Sequence, residues 1–293
     1  MFYLGVYDIN FDRQYLFTAG KAGSEGFEIG RTSGKERVAL HINFVCEKNS
    51  SEAQNTSKIS IWNLNPSHVA MLSEKDCHVE LRAGYGNRIA PIFKGIVSHA
   101  STSNDGADKK TDLEVTDSLV EVRDTYISIS YQGTVSWKRI FDDTAARMGV
   151  AISYSHDATF ADIHNGFSYV GMGRDILTKG CDCCKLEWSI QNGVLQIKKP
   201  GGVMNKEVYV LSAETGLLGI PVKVVIAQSE LASSNTIGWD VTYFMNGAIT
   251  IDSYVKLESK VITGYFRVHS ITIEGDNVNG DWTCTARLLE VKA

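Results

Sequence analysis

Strand-like alternation at both ends of the chain is the feature that most constrains its fold. In residues 1–120 and again in residues 203–293, short segments alternate β-branched or aromatic residues with polar ones, between Gly, Asn and Asp. Two such regions predict a mainly β protein with two antiparallel, barrel-like β domains, one at each end of the chain. A short helix that begins at Asn65-Pro66 is expected to cover one end of the first sheet.

The middle of the chain differs because two helical stripes interrupt the strand pattern. At 100° per residue, the apolar residues between Trp137 and Met148 fall on one face, and Gly149 ends that helix. A second apolar stripe runs from Ile176 to Cys184, and Asn192-Gly193 then predicts a hairpin turn. The middle therefore predicts an α+β insert.

The two stripes belong to an internal repeat. A shift of 36 positions places the first helix and its following strand on the second helix and strand. We therefore expect residues 121–202 to form two small helix-strand modules, at about 130–165 and 170–200. These modules would lie between the first β domain (1–120) and the second (203–293).

Three cysteines lie close together in the segment GCDCCKLEW. Cys181 and Cys184 have the C-x-x-C spacing of zinc and thioredoxin-like sites, and they are the weak candidates for a metal or redox role. The repeat favours another interpretation, because the sister helix has Ala145 and Met148 at these positions. All three cysteines, Cys183 included, are then expected on a buried stripe, with no metal and no cofactor.

Two other groups of residues have functional alternatives. His156 and His164 flank Asp157 and Asp162, which is compatible with a divalent cation or acid/base chemistry, but a solvated loop is favoured. Six aromatic residues of the strand-like segments are compatible with a sugar- or base-stacking face, but the sheet core is favoured. They are Trp62, Tyr85, Phe93, Tyr254, Phe266 and Trp282. Since no G-x-S-x-G or H-E-x-x-H motif is present, no catalytic residue is assigned.

Charge and hydropathy exclude some classes of protein. The net charge of −5 disfavours non-specific binding of nucleic acid by electrostatics. No window approaches the roughly 20 apolar residues that span a bilayer, so no integral membrane segment is expected. The first residues lack a basic region followed by an apolar core, so we expect synthesis and folding in a cytoplasm.

The two β domains also resemble each other. In the first, VELRAGY leads to IFKGIVSHAS, then to a Gly/Asp loop and TDLEVTD. In the second, YVKLES leads to YFRVHSITIE, then to GDNVNGD and WTCTARLLEV. The shared order of strand, strand, loop and strand predicts that the domains are copies of one another.

Several blocks of the chain resemble the tail baseplate hub proteins of long-tailed bacteriophages, including the Mu-like and T4-like hubs, and of related contractile injection systems. The blocks are ISIWNLNPSHVAML, VELRAGYGN, IFKGIVSHAS, LSAETGLLGIP and YFRVHSITIEGDNVNGDWTCTARL. Their order and spacing carry the resemblance over essentially the whole chain. The resemblance implies tube-type β domains and a non-enzymatic structural role in the virion tail.

The resemblance also implies partners. Three chains would form a homotrimer whose six similar β domains match a six-fold tail tube to a three-fold spike. The expected neighbours are a distal tail or tail tube protein, the central spike protein and the tape measure protein. DNA would pass through the lumen without specific binding. Two alternatives remain open on the residues alone: an enzyme that degrades cell-wall polymer and a monomeric carbohydrate-binding β protein.

Overall fold

In the computed structural model of the chain, the described residues are 13–21, 25–31, 38–49, 55–117, 125–204, 206–226 and 236–291. The expectation of synthesis and folding in a cytoplasm is drawn from the first residues, and residues 1–12 lie outside these ranges. The described residues are mostly antiparallel β-strand with three short helices, which confirms the prediction of a mainly β fold.

The first β part contains seven strands and one helix. Helix α1 spans Pro66–Leu72, and the Asn65 side chain accepts a hydrogen bond from Ser67 N, which confirms the predicted cap. Leu72 is buried and attaches this helix to the sheet. The strands are β1 (Arg13–Gly20), β2 (Phe27–Arg31), β3 (Ile42–Asn49), β4 (Thr56–Trp62), β5 (His78–Tyr85), β6 (Arg88–Asp105) and β7 (Asp108–Thr116).

The middle region contains both predicted helices. Helix α2 spans Trp137–Met148 and ends at Gly149 in the left-handed conformation, as predicted. Helix α3 spans Gly173–Cys184, so the two helices have equal length and begin 36 positions apart. The strands are β8 (Tyr126–Tyr131), β9 (Val135–Ser136), β10 (Ala151–Tyr154), β11 (Asp162–Ile163), β12 (Phe167–Met172), β13 (Glu187–Gln191) and β14 (Val194–Lys198).

The two modules of the middle region are related by a local pseudo-two-fold axis. Strands β8 and β9, which precede α2, pair antiparallel with β12 and β11, which precede α3, in one register. Tyr131 pairs with Phe167, and these two residues are themselves 36 positions apart. The axis therefore passes through this pair. Gly180 lies where the helices touch, because a Cβ there would come within 2.5 Å of the Phe141 ring.

The second β part contains six strands, β15 (Val208–Ser212), β16 (Leu217–Ile226), β17 (Thr236–Phe244), β18 (Tyr254–Glu258), β19 (Thr263–Asp276) and β20 (Trp282–Glu290). Its sheet is continuous with that of the first part, in the order β16-β17-β20-β19-β3-β4-β7-β6-β5-β1-β2. Strand β18 pairs with the N-terminal half of β19, and β15 pairs with β18. One ladder, β3 with β19, thus joins the two ends of the chain.

Buried apolar residues form two clusters. One cluster contains residues of both β parts, and the other lies within the middle region. The turn Asn192-Gly193 joins β13 to β14 as predicted, and it docks on the first β part, where Lys48 Nζ donates to Asn192 Oδ1 at 2.8 Å. The division of the chain at residues 120 and 202 stays a prediction.

The cysteine segment differs in part from expectation. Cys181 is buried and Cys184 is half-buried, but Cys183 is exposed. The expectation that all three would be buried is therefore wrong for Cys183. The apolar arc assigned to α3 was too wide, because Cys183 lies at its edge and faces water instead of α2.

Candidate assembly edges and a polar face

The two β parts are structural copies, as the sequence predicts. Strand β6 has a bulge between Val97 and His99, and β19 has one between Val268 and Ser270. The backbone hydrogen bond from Val97 N to Cys77 O recurs from Val268 N to Ser253 O. In this correspondence β3, β4, β5, β6 and β7 match β16, β17, β18, β19 and β20.

The junction between the copies is a regular antiparallel ladder. Strand β3 pairs from Asn43 to Asn49 with the C-terminal half of β19, from Ser270 to Asp276. Gly275 is required there, because a Cβ would lie 2.2 Å from Phe44 Cζ. His41 Nε2 lies 3.1 Å from the Asp276 carboxylate, which accepts further bonds from two backbone amides and has a lowered pKa. The edge of β3 is thereby covered within the chain.

The counterpart of β3 is uncovered. Strand β16 ends the sheet and pairs with β17 alone, so its second edge has no partner among the described residues. Ile220, Val222 and Val225 are 72%, 61% and 62% exposed. A long, apolar edge strand is a template for pairing with another chain.

The counterpart of the covering strand is also uncovered. Strand β5 pairs with β6 only as far as Ile96, and beyond the bulge β6 pairs with β7 alone among the described strands. Residues 99–105 of β6 match residues 270–276 of β19, the segment that covers β3. Two strand edges therefore have no partner among the described residues, and each matches one half of the closed β3–β19 junction.

One face of the continuous sheet is polar and mainly acidic. This face extends over β17, β20, β19, β3, β4, β7 and the end of β6. On it, Arg287 binds Asp240 through two 2.8 Å hydrogen bonds, and Lys110 lies 2.9 Å from Asp112. Acidic residues outnumber basic ones on this face. The acids are Glu47, Asp105, Asp108, Asp112, Glu114, Asp240, Glu274 and Asp276, and the bases are Lys58, Lys110 and Arg287.

The residues singled out as candidate ligands are not brought together. Among the described residues, no group of three or more His, Cys, Asp or Glu side chains has the geometry to hold a metal ion. Burial raises the pKa of the Cys184 thiol, which disfavours the thiolate that a metal requires. Asp157 accepts from Ser155 and lies 3.4 Å from Lys199 Nζ.

The aromatic candidates do not form a stacking face. Phe93, Phe266 and Trp282 are buried in the shared β core. Trp62 stacks on His41 at 3.9 Å between ring centroids and donates to Asp105. The favoured interpretation as sheet core holds for the three buried rings.

Sequence reasoning missed the open edges. The strand pattern after residue 203 predicts strand β16, but it does not predict that the edge of this strand is exposed. The available signal is the run PVKVVI, in which Lys223 is the one polar residue. Such a run is typical of a strand that is covered on both faces. No helix among the described residues has the length and apolar character needed to cross a bilayer.

Comparison with known proteins gives similar folds but no close relative. No family model matches the chain, and no curated protein matches it in sequence. Among solved structures, the 43 kDa tail protein of prophage MuSo2 from Shewanella oneidensis has a TM-score of 0.61 at 10% identity, over 95% of this chain and 97% of that one. A tail protein from Neisseria meningitidis MC58 has a TM-score of 0.60 at 10% identity, over 94% and 96%.

A third similar structure comes from an injection machine. It is an Escherichia coli component of the type VI secretion system, described as structurally similar to bacteriophage T4 tail proteins, with a TM-score of 0.58 at 9% identity. The alignment covers 89% of this chain and 76% of that one. At such identities the likeness concerns the fold. The chain therefore has the fold of phage tail proteins, as the resemblance of its sequence blocks predicts.

Proposed function

We propose that this chain is a non-enzymatic structural hub of a phage tail. Three copies form a ring of six similar β parts, which adapts a six-fold tail tube to a three-fold central spike. The fold supports a tail role. Two of the similar structures are tail proteins, one from a Shewanella oneidensis prophage and one from Neisseria meningitidis, and the third is a component of a secretion system. The distal tail or tail tube protein, the spike and the tape measure protein are the proposed partners, in a virion assembled in the bacterial cytoplasm.

One observation carries the proposal: the uncovered copy of the edge strand is more apolar than the covered copy. Residues 43–49 of β3 read NFVCEKN and are covered by β19, whereas residues 220–226 of β16 read IPVKVVI and are uncovered. The hydrophobic effect would favour the opposite arrangement, in which the apolar strand is covered and the polar strand faces water. We infer that β16 is covered in the assembled protein.

The closed junction specifies how the open edges meet. Val45 of β3 pairs with Glu274 of β19, and the register of the copies makes Val222 the match of Val45 and Ser103 the match of Glu274. Val222 of one chain should therefore pair with Ser103 of the next, antiparallel. Each chain then offers the edge of β16 to one neighbour and the edge of residues 99–105 of β6 to the other. A closed ring leaves neither edge exposed.

The polar face fits passage of DNA through such a ring. In a closed ring the continuous sheet would turn this face toward the lumen. The excess of acids repels phosphate, and two of the three cations are within ion-pair distance of an acid. DNA would pass without being held, and no cofactor or metal is required.

Cysteine trapping tests the register. In a Cys183→Ser background, Val222→Cys with Ser103→Cys should oxidise to covalent trimers on a denaturing gel. Val45→Cys with Glu274→Cys is the positive control, because these residues already pair within the chain. Val222→Cys with Thr102→Cys is the negative control, because a one-residue shift places the two side chains on opposite faces of the sheet.

The outcomes separate the proposal from its alternatives. Cross-linking equal in the two intermolecular pairs, or a monomer of 32.2 kDa in every condition, including co-expression with neighbouring tail proteins, would contradict the hub. A monomer that binds glycans would support the carbohydrate-binding protein instead. Hydrolysis of peptidoglycan by the purified chain would support the enzyme.

A further inference from the structure

A groove in the first β part lies beside the bulge of β6. Its walls are the end of α1 with the turn that follows, Leu72–Asp76, and the bulged stretch Ile96–Ala100. It has a volume of about 410 Å³. The copy relation between the β parts allows this groove to be compared with its counterpart in the second part.

The counterpart is formed by the turn that ends at Asp252 and by the bulged start of β19. Asp76 and Asp252 occupy the same position, because each precedes the matching strand by the same distance and each has a left-handed φ, of 59° and 61°. Arg267 stands where the first part has Ile96. The two sites therefore share their backbone and one carboxylate.

In the second β part the site is filled by the end of the middle region. Lys198 Nζ lies 3.4 Å from Asp252 Oδ1, and these side chains are 2% and 0% exposed. Gly201, Gly202 and Val203 follow and are buried, and Met204 N donates to the Asp252 carbonyl. A strand end that carries a lysine, followed by a tight turn, is thus the occupant of this site.

In the first β part the same carboxylate lies open. Asp76 is half-buried, and within the described part of the chain no cation comes within 4.0 Å of it. Glu74 on the same wall is exposed and lies 3.7 Å from Lys21. Ile96 cannot neutralise Asp76 as Arg267 does Asp252 at 3.1 Å. An incoming ammonium would therefore meet a carboxylate that has no cation within 4.0 Å among the described residues, in a groove that Lys75 and His99 also line.

We infer that the groove of Leu72–Asp76 and Ile96–Ala100 is a docking site for a lysine-bearing strand end from another protein. A second copy of this chain cannot supply it, because its Lys198 is already buried in its own second β part. The inference rests on the proposed ring only for the arrangement of the sites. In that ring, the three grooves of the first β parts would be open and would alternate with the three filled sites of the second β parts. A ring with nearly six-fold symmetry would thus offer three docking positions to a three-fold partner.

A peptide of this chain tests the site. The probe is a fluorescent synthetic peptide of residues 187–204, EWSIQNGVLQIKKPGGVM, added to the full-length protein and followed by anisotropy. We expect saturable binding that weakens roughly ten-fold for Asp76→Asn, the equivalent of losing one charge-assisted contact. Asn tolerates the left-handed conformation, so this variant should keep its fold. The same loss is expected for a probe with norleucine at position 198.

Matched controls decide the result. Glu74→Gln, on the same wall, should change the affinity less than two-fold because that carboxylate already faces Lys21 and water. Absence of saturable binding, or equal binding to Asp76→Asn and wild type, would overturn the inference. Light scattering on the same samples reports the trimer separately, so a trimer without peptide binding refutes the groove alone, and a monomer that binds the peptide refutes the ring alone.

Discussion

The strands β3 and β16 are two copies of one element in different surroundings. In β3 the side chains of Cys46 and Lys48 are buried, and β19 covers the edge. In β16 the matching positions are Lys223 and Val225, both exposed. The Lys48 position teaches the most: the strand covered within the chain holds a buried lysine, whereas its copy, which has no second partner among the described residues, exposes a valine there.

The largest expected effect follows from a charge on the open edge. Val222→Lys should shift a trimer toward a monomer, because a charged side chain on an edge strand opposes its pairing with another chain. Light scattering measures the mass. Val170→Lys is the control, since Val170 is also 61% exposed but lies on β12 of the middle region. Equal loss of trimer in both variants would show that the apolar edge is not specific.

A smaller effect is expected at the closed junction. Gly275→Ala should lower the free energy of unfolding by about 2 kcal/mol, because the new methyl group clashes with the buried Phe44 ring. Its match in the first part is Asn104, which is exposed, so Asn104→Ala should stay within about 0.5 kcal/mol. Denaturant unfolding compares them. If Gly275→Ala behaved like Asn104→Ala, the tight contact of β3 and β19 would be wrong.

Lys48 provides a test by pH. Burial lowers the pKa of Lys48 from 10.5 to about 8, and its position in β16 is occupied by Val225. Between pH 8 and 10.5 the unfolded chain binds more protons at this lysine than the folded chain, so its contribution to stability rises with pH. Lys48→Met should therefore stabilise the protein by about 1–2 kcal/mol at pH 7, net of the lost bond to Asn192.

The stability advantage of Lys48→Met should shrink as the pH rises from 8 toward 10. In this range Lys48 of the wild type loses its proton, so the cost of burying a charged ammonium disappears. Cys46, Asp117 and Cys284 face Lys48 and are present in both proteins. The measurement is therefore the difference between the two denaturation midpoints at each pH. A constant difference would show that Lys48 does not titrate in this window.

The smallest effect concerns the copies in the middle region. Cys183 should react with a thiol reagent rapidly, whereas Cys181, which matches the buried Ala145, should react slowly in the native protein. One fast equivalent per chain is expected, and Cys183→Ala should remove it. Fast reaction of Cys181 in Cys183→Ala, located by peptide mapping, would mean that α3 does not pack on α2 as described.

Most of the structure that the sequence predicts correctly depends on local patterns of residues. Both helices, the Asn192-Gly193 turn and the copy relation followed from spacing and periodicity, because each depends on residues close in sequence. The β3–β19 ladder did not follow, because it joins Asn49 to Ser270 and leaves no local signal. The open edges are missed for the same reason: a sequence shows that a segment is a strand, but exposure of its edge depends on which distant strand is its neighbour.

The groove and the buried ions could not be predicted for a further reason. Lys198 and Asp252 resemble surface residues in the sequence, and burial raises the pKa of Asp252 while it lowers that of Lys198. Their burial results from the docking of the middle region on the second β part. Such contacts between units have no periodicity, so only the three-dimensional arrangement reveals them.

The β3–β19 ladder also sets an order of events during synthesis. Asn49 leaves the ribosome 221 residues before its partner Ser270, which at about 5–20 residues per second is a delay of roughly 10–45 s. Throughout that interval β3 has an open edge, and β16, which is made earlier than β19, is available to pair with other chains. The polar residues of β3 would make this early edge less prone to pair with other nascent chains until β19 is made.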